Sequence, residues 1–427
     1  MNEQSKANTS TFRSYLAFWI GQLVSLFGSS VAQFVIVWWV MLETESPLYL
    51  GLASLVGFAP MIIVSPFAGV FVDRWNRRVL IGIVDFLQAI ATIMLILLFS
   101  TGFASVWQVL VLLALRGVFQ AFHNPAVSAI VPLMVPKDKL SRMNGLNFLL
   151  NGVVTLVGPI IAALLLESWE IGEILWIDAA TFIVALLPLL VVRFPSIRRR
   201  QGAVKGQNPF ERELLEGFSF IKNARGLLPF TMLATVLNFL LTPIGTLMPY
   251  YVKYEHFGAA SDLAFILAFF QGGILAGGVL MSLIKGFQKK MIAITISVYI
   301  IFLGYAFLAL TPTGLFWFMA ISGLVAAVCI PIANVSIQTI LQTVVPPEMY
   351  GRVSSFVGAL ASAASPLGMI LSGAIVELTG TSILFLGCST SGILVTTISW
   401  FFTDMRYVEE TKYVEDTIDT TPESMDT

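Results

Sequence analysis

Three charged residues lie inside long apolar runs of this sequence: Asp85, Arg116 and Asp178. A charge within a membrane span is costly, and such residues are usually functional and face a partner or a water-filled cavity. At about 1.5 Å rise per residue, Arg116 lies about 15 Å from the outer edge of its run, near mid-bilayer. His123 follows on the same helical face, at nearly the depth of Asp85. We therefore predict a polar cluster able to bind a proton, formed by Asp85, Arg116, Gln120 and His123.

The alternative is structural, since an ion pair between spans 3 and 4 could simply hold them together. For Arg116 the mid-membrane depth favours function, whereas both interpretations stay open for Asp85. His123 is more typical of a packing residue, and Asp178, placed near the outer edge of span 6, of a structural partner or helix-end group.

No arrangement of residues in the sequence indicates an enzyme. The chain has two histidines and two cysteines, the latter inside apolar runs, with no spacing typical of a metal site. It also lacks a glycine-rich loop for phosphates, so we predict neither catalysis nor a cofactor. An ATPase partner on a separate chain is left open. The net charge of −1 argues against nucleic-acid binding.

Composition predicts an all-α polytopic membrane protein, because 57% of residues are hydrophobic, 11% are charged and the mean hydropathy is +0.86. Twelve runs are long enough to span a bilayer, at about 20 residues each. They cover roughly 15–41, 50–72, 79–99, 106–135, 143–166, 174–193, 227–252, 261–284, 291–311, 314–345, 353–376 and 382–403. With this count, 22 of the 24 basic residues fall on one side. The positive-inside rule then places both termini in the cytoplasm.

A long polar interruption divides the spans into six and six. We predict an N-terminal half at 1–193, a cytoplasmic linker at 194–226, a C-terminal half at 227–403 and an acidic tail at 404–427. An offset of 210 residues pairs Asn124 with Asn334 and Gly158 with Gly368, which indicates duplicated six-helix halves. At this offset the three intramembrane charges meet uncharged residues, so proton chemistry is expected in the N-terminal half.

Polar residues form stripes along one face of spans 1, 5, 7 and 10. Such stripes can bond neighbouring helices, but four together favour a shared aqueous cavity for a small-molecule substrate. The 33 phenylalanines and 15 methionines suit a large, partly apolar ligand. The predicted cavity residues are Gln22, Ser29, Gln33, Gln120, Asn147, Asn151, Asn238, Thr242, Asn334 and Gln338.

The turn between spans 2 and 3, residues 69–78 (GVFVDRWNRR), resembles the loop 2–3 motif of the major facilitator superfamily, G-x-x-x-D-R-x-G-R-[RK]. Asn76 replaces the usual glycine, and asparagine tolerates a left-handed backbone better than most residues. The resemblance implies two six-helix halves and a gating role for this turn. The motif residues are Gly69, Asp73, Arg74, Arg77 and Arg78.

Two further stretches are similar to bacterial drug exporters of that superfamily. Residues 116–126 (RGVFQAFHNPA) resemble their span 4, whose arginine is linked with proton coupling, which the match assigns to Arg116 with Asp85 and His123 nearby. Gly158 and Pro159 are retained from the span 5 motif of antiporters. The chain most resembles the macrolide-efflux branch, which implies proton-driven export of bulky amphipathic drugs across a bacterial cell membrane. A siderophore, nutrient or lysolipid carrier on the same scaffold, or a non-transporting membrane receptor, remains the alternative.

Overall fold

The computed structural model of the protein describes residues 9–192, 218–284 and 286–410. Within them, twelve helical segments are long and apolar enough to cross a membrane, as the sequence predicts. The helices are α1 Thr9–Thr44, α2 Pro47–Arg74, α3 Arg77–Ser100, α4 Val106–Ser128, α5 Leu140–Leu165, α6 Ile171–Val191, α7 Leu227–Tyr250, α8 Ala260–Leu283, α9 Lys290–Ala309, α10 Phe316–Val344, α11a Pro347–Ala363, α11b Ser365–Thr379 and α12 Thr381–Phe402. Because the number of crossings is even, the start of the first span and the end of the last lie on one side, called the terminal side below; the other is the far side.

Two spans differ from their predicted form as unbroken runs. The fourth helix ends at Ser128 and a separate short helix, Val131–Met134, follows it. The eleventh span divides at Ala364 into α11a and α11b. In both places a proline stands in the first turn of the second piece, where its missing N–H leaves no bond to break. Hydropathy alone does not register these interruptions.

The turn before α3 is built differently from the left-handed turn considered for Asn76. The backbone of Asn76 is extended, with φ −69° and ψ 111°. The Asn76 side chain accepts a hydrogen bond from the backbone N–H of Arg78 at 3.1 Å, so asparagine acts as the N-cap of α3. The residue is therefore suited to this position as a cap, without needing the conformational freedom of glycine.

The first six spans and the last six pack with the same pattern of neighbours. In the N-terminal half (α1–α6), α1 packs on α5 and α6, α2 on α4, and α3 on α4 and α6. In the C-terminal half (α7–α12), the equivalent pairs recur: α7 with α11 and α12, α8 with α10, α9 with α10 and α12. This repetition fits a duplicated six-helix unit and confirms the predicted fold class. The exact limits of the four predicted domains stay predictions, and residues 193–217 and 411–427 lie outside the described residues.

The two halves meet most extensively through α2 with α11b and α5 with α8. On the far side, the Ser46 hydroxyl donates to a Glu377 carboxylate oxygen at 2.8 Å. Gly373 of α11b lies against the start of α2, where a Cβ would stand 2.6 Å from the Pro47 carbonyl oxygen. The absence of a side chain at Gly373 thus allows the two helices to approach closely.

Candidate functional site

Arg116 forms an ion pair inside the N-terminal half. Its Nη1 lies 2.7 Å from Oδ2 of Asp178, and Asp178 is fully buried. The same carboxylate accepts hydrogen bonds from the hydroxyls of Thr92, at 2.8 Å, and Ser29, at 2.9 Å. The Arg116 guanidinium also donates a hydrogen bond to the Thr92 hydroxyl and lies 5.9 Å above the centre of the Phe182 ring. Asp178 therefore meets a cation and two hydroxyl donors, the environment that an ionised carboxylate needs away from water.

Four helices of one half supply this cluster: α4 carries Arg116, α6 Asp178, α3 Thr92 and α1 Ser29. Close packing of α2 on α4 fixes the position of Arg116, because a Cβ on the adjacent Gly117 would overlap the backbone of Gly57. The α4 backbone is thereby held against α2, while its charged side chain reaches the opposite neighbours.

The partner of Arg116 corrects the single polar cluster predicted from the sequence. On α3, Thr92 rather than Asp85 lies at the level of Arg116. Asp85 is seven residues, or about 10 Å, nearer the terminal side. The distance along α3 therefore separates the predicted cluster into two groups.

The second group contains Asp85, His123 and Gln22. His123 Nε2 lies 3.1 Å from Oδ1 of Asp85 and 3.0 Å from Oε1 of Gln22. The Gln22 amide donates to the other Asp85 oxygen at 3.3 Å. Asp85 is only 1% exposed, and the His123 side chain 15%. His123 Nε2 thus faces a carboxylate oxygen and an amide oxygen in a nearly dry position.

One face of α3 connects the two groups. Asp85, Gln88 and Thr92 follow at spacings of three and four residues, which places them in one line along the helix. Gln88 is buried and lines the central cavity described next. The sequence offered no reason to select Gln88 or Thr92, since a single amide or hydroxyl within an apolar run is common in membrane helices.

A cavity of about 540 Å³ lies between the two halves, within the size range of about 300–1,000 Å³ typical of ligand sites. Its polar lining comes from the N-terminal half, and Arg116 is the one charged side chain among the described residues around it. The C-terminal half contributes Gly245, Met248, Pro249, Leu263 and Leu267. The polar groups of the cavity thus lie on one wall, which also carries apolar residues such as Leu26 and Phe34, and the other wall is apolar.

The predicted cavity residues are divided among several surroundings. Ser29, Gln33 and Gln120 line the central cavity, as does Pro159 of the predicted antiporter motif. Asn238 and Asn334 line a different chamber in the C-terminal half. Whether any of these residues contacts a substrate stays a prediction.

The remaining members of that set lie outside both spaces. Asn147 accepts a hydrogen bond from the Trp19 indole and so ties α5 to α1. Gln22 belongs to the Asp85 group, and the Thr242 hydroxyl donates to the Asn238 carbonyl at 2.7 Å. Asn151 and Gln338 are exposed. Gly158 allows close packing on α1, because a Cβ there would overlap the Ser30 side chain.

The gating motif spans the end of α2 and the start of α3. Arg77 Nη1 donates to the Ala129 carbonyl at 2.9 Å, and Arg78 Nε to the Leu189 carbonyl at 2.8 Å. Both arginines therefore join ends of helices within one half. Gly69, Asp73 and Arg74 lie in the last turns of α2, and the side chains of Asp73 and Arg74 are outside the described part of the structure.

Comparison with known proteins identifies the relatives of this chain. The profile of the Major Facilitator Superfamily matches residues 18–314 and 283–420. Macrolide efflux protein A of Streptococcus pyogenes is 30% identical over 92% of this chain and 97% of its own length. Multidrug efflux pump Tap of Mycolicibacterium fortuitum is 26% identical over 90% of this chain and 94% of its own.

Solved structures give the same fold. A crystal structure of a mutant of the nucleoside transporter NupG superposes with a TM-score of 0.73 at 14% identity, over 91% of this chain and 99% of the other. These findings confirm the resemblance predicted from the span 4 and loop 2–3 motifs. Twelve membrane-crossing helices in two equivalent halves, the profile match and the relatives agree that this chain is a multi-pass membrane protein of the Major Facilitator Superfamily.

Proposed function

We propose that this protein exports bulky amphipathic compounds, with macrolide-like antibiotics as the leading class, by alternating access driven by the proton motive force. The observation that supports this most directly is the central cavity, whose charged lining residue, Arg116, is neutralised by a buried carboxylate. The relatives named for macrolide and multidrug efflux support the substrate class.

The division of the cavity suits an amphipathic compound. Hydroxyl and amide groups on the N-terminal wall can bond the polar face of a substrate, while the C-terminal wall excludes water from its apolar face. A sugar phosphate or dicarboxylate would require several unpaired basic groups, and the described lining offers one arginine, already paired.

Proton coupling is assigned to Arg116 acting through Asp178. Arginine does not release its own proton, so the titrating group must be the carboxylate. When Asp178 takes up a proton, Arg116 loses its counter-charge in a poorly solvated site, which raises the free energy of that conformation. The transporter can then shift to a state that solvates the guanidinium or offers it a substrate. Ser29 contacts both Asp178 and the cavity, and so connects proton binding to substrate binding.

The Asp85–His123 pair is proposed as a second proton-binding group nearer the terminal side. We further propose that the terminal side is cytoplasmic, on the positive-inside rule. The motif at residues 69–78 would then stabilise closure on the cytoplasmic side, with Asp73 as its acidic member.

The test uses everted membrane vesicles that contain the native protein or an Arg116 variant. Addition of erythromycin should release protons from vesicles with the native protein. Arg116→Ala should abolish this release, whereas Arg116→Lys keeps the charge without the planar fork and should retain part of it. Arg225→Ala is the matched control, because Arg225 forms an exposed pair with Asp404 at 3.4 Å.

A susceptibility panel across unrelated antibiotics, with and without expression of the protein, tests the substrate class separately. Native proton-to-drug exchange in Arg116→Ala vesicles would refute the coupling role of Arg116. Unchanged accumulation of every compound in the panel would refute drug export itself.

A further inference from the structure

A second enclosed space lies within the C-terminal half, apart from the central cavity. It has a volume of about 320 Å³ and is enclosed by α7, α9, α10 and α12, with Met405 at one end. Most of its wall is buried and apolar, including Ile294, Ile301 and Tyr305. Asn238 and Asn334 also line this chamber and are exposed, which places its opening beside them.

The internal repeat explains why this space exists. At the offset of 210 residues, Asp85 corresponds to Thr295 and His123 to Ala333, and both of these line the chamber. The equivalent helices of the N-terminal half place a carboxylate and an imidazole there, in contact at 3.1 Å. Smaller side chains on the same helix arrangement leave the volume of those groups unfilled.

The lining determines which molecules could occupy the chamber. None of the described residues around it carries a charge, so a charged ligand would lose its hydration without a counter-ion. Its volume is at the low end of the range of about 300–1,000 Å³ found for ligand sites. A molecule with one or two rings fits this size, whereas a macrolide does not.

Polar groups near the opening could orient such a molecule. The Asn238 amide nitrogen donates to the Ala234 carbonyl at 2.9 Å, which directs its side-chain oxygen away from that bond as an acceptor. The buried Thr295 hydroxyl donates to the Met291 carbonyl at 2.8 Å and keeps its own lone pairs. The chamber thus offers the Asn238 oxygen at its opening and the Thr295 hydroxyl on its buried wall, among apolar contacts.

We propose that this chamber is a second ligand site, which binds small uncharged molecules with one or two rings and one hydrogen-bonding group. The site is distinct from the central cavity, and its existence does not depend on proton-driven drug export. Occupancy would fill, in the C-terminal half, the position that Asp85 and His123 fill in the other half.

The experiment uses a benzyl alcohol with a trifluoromethyl diazirine on its ring as a photoreactive probe. The purified full-length protein is irradiated with it in detergent, with or without excess unlabelled benzyl alcohol, and adducts are mapped by mass spectrometry. We expect saturable adducts on chamber residues such as Met291 and Ile337. Ala333→Leu should reduce them at least five-fold by filling the chamber. Val335→Leu, at an exposed position of the same helix, should leave them unchanged.

A melting curve checks that Ala333→Leu remains folded. Should it not fold, Asn334→Leu at the exposed opening gives the same test and must lower the labelling. The proposal is overturned if adducts lie only on exposed apolar residues such as Ile321 and Val325. It is also overturned if excess benzyl alcohol does not compete, or if the filled variant of a folded protein labels like the native one.

Discussion

Replacement of Asp178 by asparagine tests the ion pair at the centre of the proposed mechanism. The change keeps the shape of the side chain and leaves Arg116 charged in a site where the carboxylate was fully buried. Breaking a buried pair by removing one partner costs about 3–5 kcal/mol. Because the amide oxygen can still accept a hydrogen bond from Arg116, we expect the lower end of that range, about 3 kcal/mol. For a unit of 150–250 residues this lowers the melting temperature by roughly 6–12 °C.

The distribution of tryptophan and cysteine allows each half to be followed separately. Seven of the nine tryptophans precede residue 194, whereas both cysteines, Cys329 and Cys388, are buried in the C-terminal half. Asp178→Asn should therefore lower the melting temperature measured by tryptophan fluorescence more than that measured by thiol labelling. Addition of Arg116→Gln removes the unpaired charge and should restore at least half of the lost stability.

An exposed ion pair provides the control for this measurement. Asp404→Asn breaks the ion pair between Asp404 and Arg225, whose side chains are 55% and 61% exposed respectively. This change should lower the stability by about 0–1 kcal/mol. A melting temperature for Asp178→Asn as close to native as that of the control would refute the reasoning. It would mean that Arg116 finds water or another partner without cost, and that protonation of Asp178 cannot bias the conformational equilibrium.

Three further changes test other parts of the molecule. Gly373→Ala places a Cβ 2.6 Å from the Pro47 carbonyl oxygen, so it should separate α2 from α11b. We expect it to lower the stability by about 1–3 kcal/mol and to slow drug efflux from cells. The control Gly358→Ala, whose Cβ would meet nothing within 4 Å, should change neither stability nor efflux. Burial lowers the pKa of His256 below its ordinary value, against a smaller opposing effect of Glu255. The unfolded chain therefore binds more protons, and stability falls as the pH drops through about 6.5. The melting temperatures measured by circular dichroism at pH 7 and pH 5 should differ less for His256→Phe than for the native protein, and an unchanged difference would exclude His256 as its source. Asp73→Asn should abolish efflux at normal membrane levels of the protein, and full efflux would remove the gating role of Asp73.

The twelve spans could be predicted because the length of an apolar run is a local property, fixed by the thickness of the bilayer. Hydropathy averaged over a whole span did not reveal the interruptions at Ala129 and Ala364, since both spans are apolar enough overall to cross a membrane. Proline in the first turn after each break was the available signal. The role of Asn76 was also local, but its capping geometry depends on where α3 begins, and the ends of a helix are the least predictable part of it.

The partner of Arg116 illustrates a different limit. The depth of Arg116 followed from counting residues. Whether Asp85 or Asp178 is its partner depends on how the helices rotate against one another, which periodicity within one helix does not specify. The predicted start of span 6 was also wrong. It was placed at residue 174, whereas α6 begins at Ile171, so Asp178 lies about 4.5 Å deeper than expected. At that depth it reaches the level of Arg116 and becomes its counter-ion rather than a helix-end group.

The contrast between the halves indicates where coupling has to travel. Both buried acid–base pairs described here belong to α1–α6, and the equivalent positions Thr295, Ala326 and Cys388 of the C-terminal half are uncharged. In the proposed mechanism a change of protonation therefore begins in one half, whereas alternating access requires both halves to move relative to one another. The most extensive contacts between them are α2 with α11b and α5 with α8. Since α2 also packs on the helix that carries Arg116, we expect displacement of α4 on protonation to reach the C-terminal half through α2.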